Sequence, residues 1–205
     1  MGRAFTDISF TDSVKNAQTL YGSREGYRQF EEKGAINSGL DEAAAEFIAQ
    51  RDSFYQASVS ESGWPYVQHR GGPVGFVRVI DSNTIGYADF RGNRQYISVG
   101  NLMSDNRISL IFMDYANRRR LKVWGRVKIV HMDDAPELLA KLENLEYRAR
   151  IERGVIIHIE AIDWNCPQHI TPRFTEAEFV EYMQPLQQQI EKLSIENAQL
   201  RKQLA

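Results

Sequence analysis

Three arginine-bearing segments and one cysteine loop hold the side chains best suited to chemistry. In "ADFRGNRQYISVGNL", Arg91 and Arg94 flank Gly92-Asn93 where a strand-like run gives way to a helix-like one starting near Arg94. A helix N-terminus offers free backbone N–H groups and the positive end of a dipole to an anion. Guanidinium groups match phosphate oxygens in charge and geometry. In "PYVQHRGGPVGF", Gln68, His69 and Arg70 lead into Gly71-Gly72-Pro73. Without a Cβ there, a flat ligand can approach the backbone closely, although a plain strand ending in a Gly-Pro turn has the same look. In "MDYANRRRLKVWGRVKIV", the run Arg118-Arg119-Arg120 suggests a basic patch. Alternation along a strand breaks that patch up. Arg119 falls with Leu121, Val123, Val127 and Ile129, Arg120 with Lys122, Trp124, Arg126 and Lys128, and Arg118 is left to the turn. On its apolar face Arg119 needs an anionic partner or must reach water from the strand end, and spacing does not choose between the two. Finally, Cys166 and His169 are spaced like half a zinc site with no second half. They also suit a thiol–imidazole pair, or an ordered surface loop between Pro167 and Pro172.

The elements that must position these residues follow from periodicity. Residues 11–21 read as a helix capped by Thr11 or Asp12 and ended by Gly22, and Asp41 caps an alanine-rich helix over "LDEAAAEFIAQR". The segment "REGYRQFEEKGAINSGL" is polar with three glycines, a lead-in to which no element is assigned. From residue 53 onward β-rich runs pair into hairpins around Ser62-Gly63, Asp81-Ser82-Asn83 and Ala116-Asn117, followed by "GVIIHIEAIDW". Helices are expected over roughly 94–103 and 134–147. Six or so strands in short antiparallel connections predict a mainly β (α+β) fold, a closed or partly closed barrel with peripheral helices. Trp64 and Trp124 are expected in the core, Trp164 against a ring or in the core, and His131 and His158 in structural or edge positions.

The last segment changes period again. Met183, Ile190, Asn197 and Leu204 recur every seven residues, with Leu186, Leu193 and Leu200 three places on. These are the a and d positions of a coiled coil, and an Asn at a favours a parallel pair. Glu196 at g and Arg201 at the next e have the charges to pair between chains. The same stripe also suits a helix packed on its own domain.

Composition limits the function classes. With 25 basic and 27 acidic residues the net charge is −2, which argues against a protein that lives on a nucleic-acid backbone. Apolar runs are too short to span a bilayer. A single cysteine excludes an intramolecular disulfide framework and fits a reducing cytoplasm. No carboxylate pair, nucleophile triad or Gly-x-Gly-x-x-Gly nicotinamide fingerprint is present.

The order and spacing of "YVQHR", "ADFRGNRQ" and "RRRLKVWGRV" resemble the pyridoxamine 5'-phosphate oxidase-like FMN-binding split barrels, over roughly residues 45–165. The likeness is strongest to a bacterial branch with "HRGGP", "DFRGNRQY", "NRRRLK" and "CPQHI". The resemblance implies that Gln68, His69 and Arg70 line the flavin, that Asn93, Arg94 and Gln95 grip the FMN phosphate, and that Arg119 and Arg120 reach the flavin. It further implies a homodimer with FMN at the subunit interface, and Gln168 and His169 closing over the ring or substrate. Gln95 stands where the family has a lysine, and the arginine-rich C-terminal segment of the authentic oxidases is replaced by "DWNCPQHITPRF" and the heptads. These departures speak against pyridoxine phosphate as substrate. The expected organisation is a helical lead-in (1–44), an FMN-binding barrel (45–165), a Cys-Pro-Gln-His loop (166–174) and a C-terminal helix (175–205). The expected function is a flavin-dependent oxidoreductase on a small substrate, with a non-catalytic flavin sensor, carrier or storage protein as the alternative.

Overall fold

The computed structural model describes residues 3–33, 39–131, 133–144, 146–164 and 166–203, so Leu204 of the heptad pattern and Leu145 of the expected 134–147 helix lie outside the described residues. By its contacts the chain forms two compact units. One runs to Asp114 and resumes over Arg119–Pro167, and the other takes Tyr115–Arg118 and the chain from Gln168 onward.

The first unit opens with four helices: α1 (Arg3–Ser9), α2 (Asp12–Leu20), α3 (Arg24–Lys33) and α4 (Glu42–Ala49). Thr11 caps α2 by accepting from Val14 N, Gly22 turns the chain at φ 76°, and Asp41 caps α4 by accepting from Ala44 N at 2.8 Å. Helix α3 was not legible, because its residues are nearly all polar. Arg24, which donates to Gln18 Oε1 at 3.0 Å and to Glu31, holds it to its neighbour instead of a buried stripe.

Seven strands follow: β1 (Ser53–Val59), β2 (Pro65–Gly71), β3 (Val77–Asp81), β4 (Thr84–Phe90), β5 (Arg107–Asp114), β6 (Arg119–His131) and β7 (Ile151–Trp164). They form one antiparallel sheet in the order β2-β1-β5-β6-β7-β4-β3. Helix α5 (Ile97–Ser104) leaves β4 and α6 (Pro136–Leu142) leaves β6. Side chains join strands far apart in the sheet. Tyr87 on β4 donates to Gln56 Oε1 on β1 at 2.7 Å, and Arg70 on β2 meets Asp89 on β4. The sheet is thus curled on itself as a split barrel.

Alternation along the strands fills the interior. β5 and the first half of β6 bury every second residue, and Phe54, Leu110, Phe112, Leu121, Val123, Ile157 and Ile159 form the core with Phe47 and Ile48 of α4. The expected splitting of the arginine run holds: Arg118 sits in the turn with φ 54°, and Leu121, Val123 and Val127 face inward while Lys122 and Trp124 are half-buried on the other side. Trp124 packs on Phe5 of α1, ring centroids 5.0 Å apart. Trp64 departs from expectation. It lies at the hairpin turn, just before β2, and is 76% exposed. His131 and His158 are exposed.

The second unit is dominated by α7 (Glu176–Gln203), 28 residues long. Its start is a capping box: Glu178 N donates to Thr175 Oγ1, and the Glu178 carboxylate accepts from Thr175 N at 2.8 Å. The helix runs through Pro185, and none of its described residues is buried. No helix among the described residues is long and apolar enough to cross a membrane.

Candidate functional site

The side chains of β2 divide between two faces. Tyr66, Gln68 and Arg70 are half-buried, whereas Val67 and His69 are exposed. Strand alternation therefore separates three residues expected together: His69 turns away from Gln68 and Arg70 and packs edge-on against Tyr55, centroids 5.4 Å apart. Of the adjoining glycines, Gly72 has a packing role. A Cβ there would lie 2.6 Å from the Phe76 ring, so its smallness admits a core aromatic.

Across the split from β2, the chain leaves β4 through Arg91–Tyr96 into α5. Asn93 Oδ1 accepts from Gln95 N at 3.1 Å, and both Arg94 (φ 64°) and Tyr96 (φ 53°) adopt left-handed backbone, an uncommon state for bulky residues that marks a constrained turn. Helix α5 begins at Ile97, three residues later than expected, because the turn consumes Arg94–Tyr96. Tyr96 at its N-cap position makes no side-chain capping bond, which leaves first-turn N–H groups available. Beside Gly92 a Cβ would meet no atom within 4 Å. The backbone here is open to close approach.

These pieces meet in one cleft of about 220 Å³, lined by Tyr66, Gln68 and Arg70 of β2, Asp89 and Phe90 of β4, the 92–96 turn, the first turn of α5, and Glu152 and Arg153 of β7. Of the expected flavin residues it gathers Gln68, Arg70, Asn93, Arg94 and Gln95. His69, Arg119 and Arg120 are not among its lining residues.

The cleft is wired by charge. Asp89 is buried and binds Arg70 Nη1 at 2.6 Å through one oxygen and Arg153 Nη1 at 2.8 Å through the other. A carboxylate this buried is tolerable only with such partners. Arg153 Nη2 continues to Glu152 at 2.9 Å, and the Arg153 guanidinium lies 5.0 Å over the Tyr96 ring. Tyr96 OH donates to Glu152 Oε1 at 3.2 Å and accepts from Arg94 Nε at 3.3 Å, an interaction that raises the Arg94 pKa further above its ordinary value. Arg91 Nε stands 3.8 Å from the same Glu152 oxygen. Ser98, buried in the first turn of α5, donates to Gln68 Oε1 at 2.7 Å and orients that amide. Asp89, Tyr96, Ser98, Glu152 and Arg153 were missed by sequence reasoning. Their signal is weak, since each is a polar residue near the end of an element, and they are brought together by the long-range pairing of β4 with β7 and by the curl that carries β2 to them.

Arg119, the first residue of β6, is exposed, so of the two alternatives it is the one that reaches water from the strand end. Its guanidinium lies between two rings, 5.0 Å from Phe47 and 4.9 Å from Trp164, and those rings meet edge-on at 4.9 Å. Cation–π attraction steadies the charge. Arg120 is half-buried opposite Met113. Cys166 is exposed, and among the described residues no group of three or more His, Cys, Asp or Glu side chains is arranged to hold a metal ion. Gln168 and His169 lie in the second unit, in the turn before α7, with His169 at φ 63°.

Residues 40–165 match the family model described as pyridoxamine 5'-phosphate oxidase. Similar solved structures include HupZ of Group A Streptococcus, 18% identical over 66% of this chain and 99% of that one, TM-score 0.47. An FMN-binding protein of Syntrophomonas wolfei is 14% identical over 72% of this chain and 97% of its own, TM-score 0.45. A third is a Clostridium acetobutylicum protein related to general stress protein 26, of the pyridoxinephosphate oxidase family, 16% identical over 65% and 92%, TM-score 0.44. No match was found among curated proteins.

Proposed function

This chain belongs to the pyridoxamine 5'-phosphate oxidase family, and from that premise we propose that its cleft binds FMN for oxidoreductase chemistry on a small molecule. The phosphate sits on the Asn93-Arg94-Gln95 turn and the uncapped start of α5, and the ring system lies along Gln68 and Arg70. The observation that carries this reading is the convergence of those five side chains and the free α5 N-terminus on one cleft. Open space beside Gly92 suits a phosphate held by backbone N–H groups. Bound FMN supplies the electron-transfer chemistry through its own ring. The protein's part is to hold the phosphate, orient the ring and limit solvent access.

The functional form is a homodimer with FMN at the subunit interface. A cleft of about 220 Å³ is smaller than the roughly 300–1,000 Å³ usual for small-molecule pockets, as half of a shared site would be. Tyr55, Val59, Trp64 and Val67 on and beside the β1–β2 hairpin are exposed, an apolar surface that a second copy would cover. His69, Arg119 and Arg120, outside the cleft of their own chain, meet the flavin held with the partner subunit. Helix α7 contributes a second contact. Leu186, Ile190, Leu193 and Leu200 are exposed, and in a parallel pair Asn197 faces its twin while Glu196 faces Arg201 of the other helix.

The test is the visible spectrum of the purified protein before and after FMN is added. Yellow protein, or quenching of FMN fluorescence by colourless protein, is expected, and a colourless protein without quenching ends this reading. Reduction of the bound flavin by NADH or NADPH at a useful rate supports an enzyme; flavin that neither reduces points to a carrier or sensor.

A further inference from the structure

Three arginines that line the cleft, Arg70, Arg94 and Arg153, and Arg91 at its margin set four guanidinium groups against the two carboxylates of Asp89 and Glu152. The carboxylates differ in what they do. Asp89 is buried, with both oxygens held by arginines at hydrogen-bond distance, and it ties β2 to β4 and β7. Its role is that of a structural ion. Glu152 is more accessible and its grip on the turn is looser. Arg91 Nε lies at 3.8 Å, beyond hydrogen-bond distance, and Arg94 is hydrogen-bonded to Glu152 through Tyr96 OH, by bonds of 3.3 and 3.2 Å. Only the Arg153 contact, at 2.9 Å, is tight.

We propose that Glu152 is the built-in counter-anion of the phosphate turn, and that an incoming phosphomonoester displaces it from Arg91 and, through Tyr96, from Arg94. The inference rests on the FMN reading above but concerns a residue which that reading leaves unassigned. Its physical basis is the charge balance. Arginines clustered without an anion repel one another and splay into solvent. Glu152 holds Arg91 and Arg94 near the turn while the site is empty, and the excess of two positive charges then suits a phosphomonoester, which carries about −1.5 to −2 at neutral pH. The arrangement costs affinity, because the phosphate must be held close to a carboxylate that remains on β7. Glu152 is accordingly a positioning and specificity residue that makes the site discriminate by ligand charge.

The experiment compares Glu152→Gln with the wild-type protein, using FMN and riboflavin as probes and fluorescence quenching as the readout. Gln keeps an oxygen for the Tyr96 hydroxyl, so that Arg94 is still held at the turn, and removes the competing charge. The expected result is FMN binding tightened by on the order of fivefold with riboflavin unchanged. A second variant, Tyr96→Phe, cuts the link to Arg94 and is expected to weaken FMN alone. FMN weakened by Glu152→Gln, or both flavins shifted equally, overturns the counter-anion assignment while leaving FMN binding intact. Wild-type protein that binds neither flavin overturns both this inference and the reading on which it rests. A drop in melting temperature with an unchanged FMN-to-riboflavin ratio also overturns it, since that is the signature of a purely structural ion.

Discussion

Arg70 Nη1 and Asp89 Oδ1 stand 2.6 Å apart across the split of the barrel, joining an edge strand to one near the opposite edge of the same sheet. The pair closes the sheet directly beneath the cleft. Arg70, expected from sequence to address the ligand, is thus anchored in the protein first and lines the cleft second.

Removing that anchor has a sizeable cost. Asp89→Asn leaves two arginines, each with less than a fifth of its side chain exposed, without their buried counter-ion. A stability loss of about 3 kcal/mol is expected, read as a lowered urea midpoint. A loss below about 1 kcal/mol would show that the seam is held by packing alone.

Arg94→Ala separates phosphate from ring recognition. FMN affinity falls roughly tenfold or more while riboflavin binding is unchanged, because a charge-assisted bond is lost only to the ligand that carries the phosphate. Equal losses in titrations of the two flavins would place the phosphate elsewhere.

Gly72→Ala tests whether the glycine serves the core or a ligand. The added Cβ collides with the Phe76 ring, so the variant is destabilised by about 1–3 kcal/mol. The ratio of FMN to riboflavin affinity stays that of the wild type. Calorimetry and flavin titration on one sample measure both.

The buried Tyr87 hydroxyl makes stability sensitive to alkali. Burial above all, with the Asp89 charge adding to it and Arg70 and Arg153 opposing, pushes its ionisation well above the ordinary tyrosine value. The native state therefore holds this proton more tightly than the unfolded chain. Its contribution is complete below about pH 10, where unfolded tyrosine begins to ionise, and is lost as pH rises toward the folded value. Urea midpoints measured from about pH 8 to about pH 11 should fall more steeply for the wild type than for Tyr87→Phe. The Phe variant is weaker at neutral pH, because Gln56 Oε1 loses its donor.

The pairing of α7 has a direct chemical readout. Asn197→Cys in a Cys166→Ser background forms a disulfide-linked dimer under mild oxidation if the helices are parallel and in register. A monomer on a non-reducing gel rules out that register.

Much of this protein was legible in its residues. The hairpins around Ser62-Gly63, Asp81-Ser82-Asn83 and Ala116-Asn117, the caps at Thr11 and Asp41, and the alternation that divides Arg118, Arg119 and Arg120 are local properties. A turn needs particular backbone angles, and a strand sends neighbours to opposite faces. Helix α3 and the exposed Trp64 were not legible, since a short helix that is nearly all polar, with Tyr27 and Phe30 as its few apolar contacts, looks like a loop, and an aromatic near a turn looks like one within a strand.

The sequence by itself determined which segments meet at the cleft, down to Asn93, Arg94 and Gln68. It also determined the heptads of the C-terminal helix. Only the tertiary structure decided the partners of those residues: Arg70 on Asp89, Arg119 between Phe47 and Trp164, Gln68 on Ser98, and Glu152 facing the turn across the cleft. The physical reason is range. Turns, caps and alternation are set within a few residues, whereas Arg70 and Asp89 meet because a seven-stranded sheet curls until its distant strands touch, and Tyr96 meets Glu152 because β4 pairs with β7, more than fifty residues on.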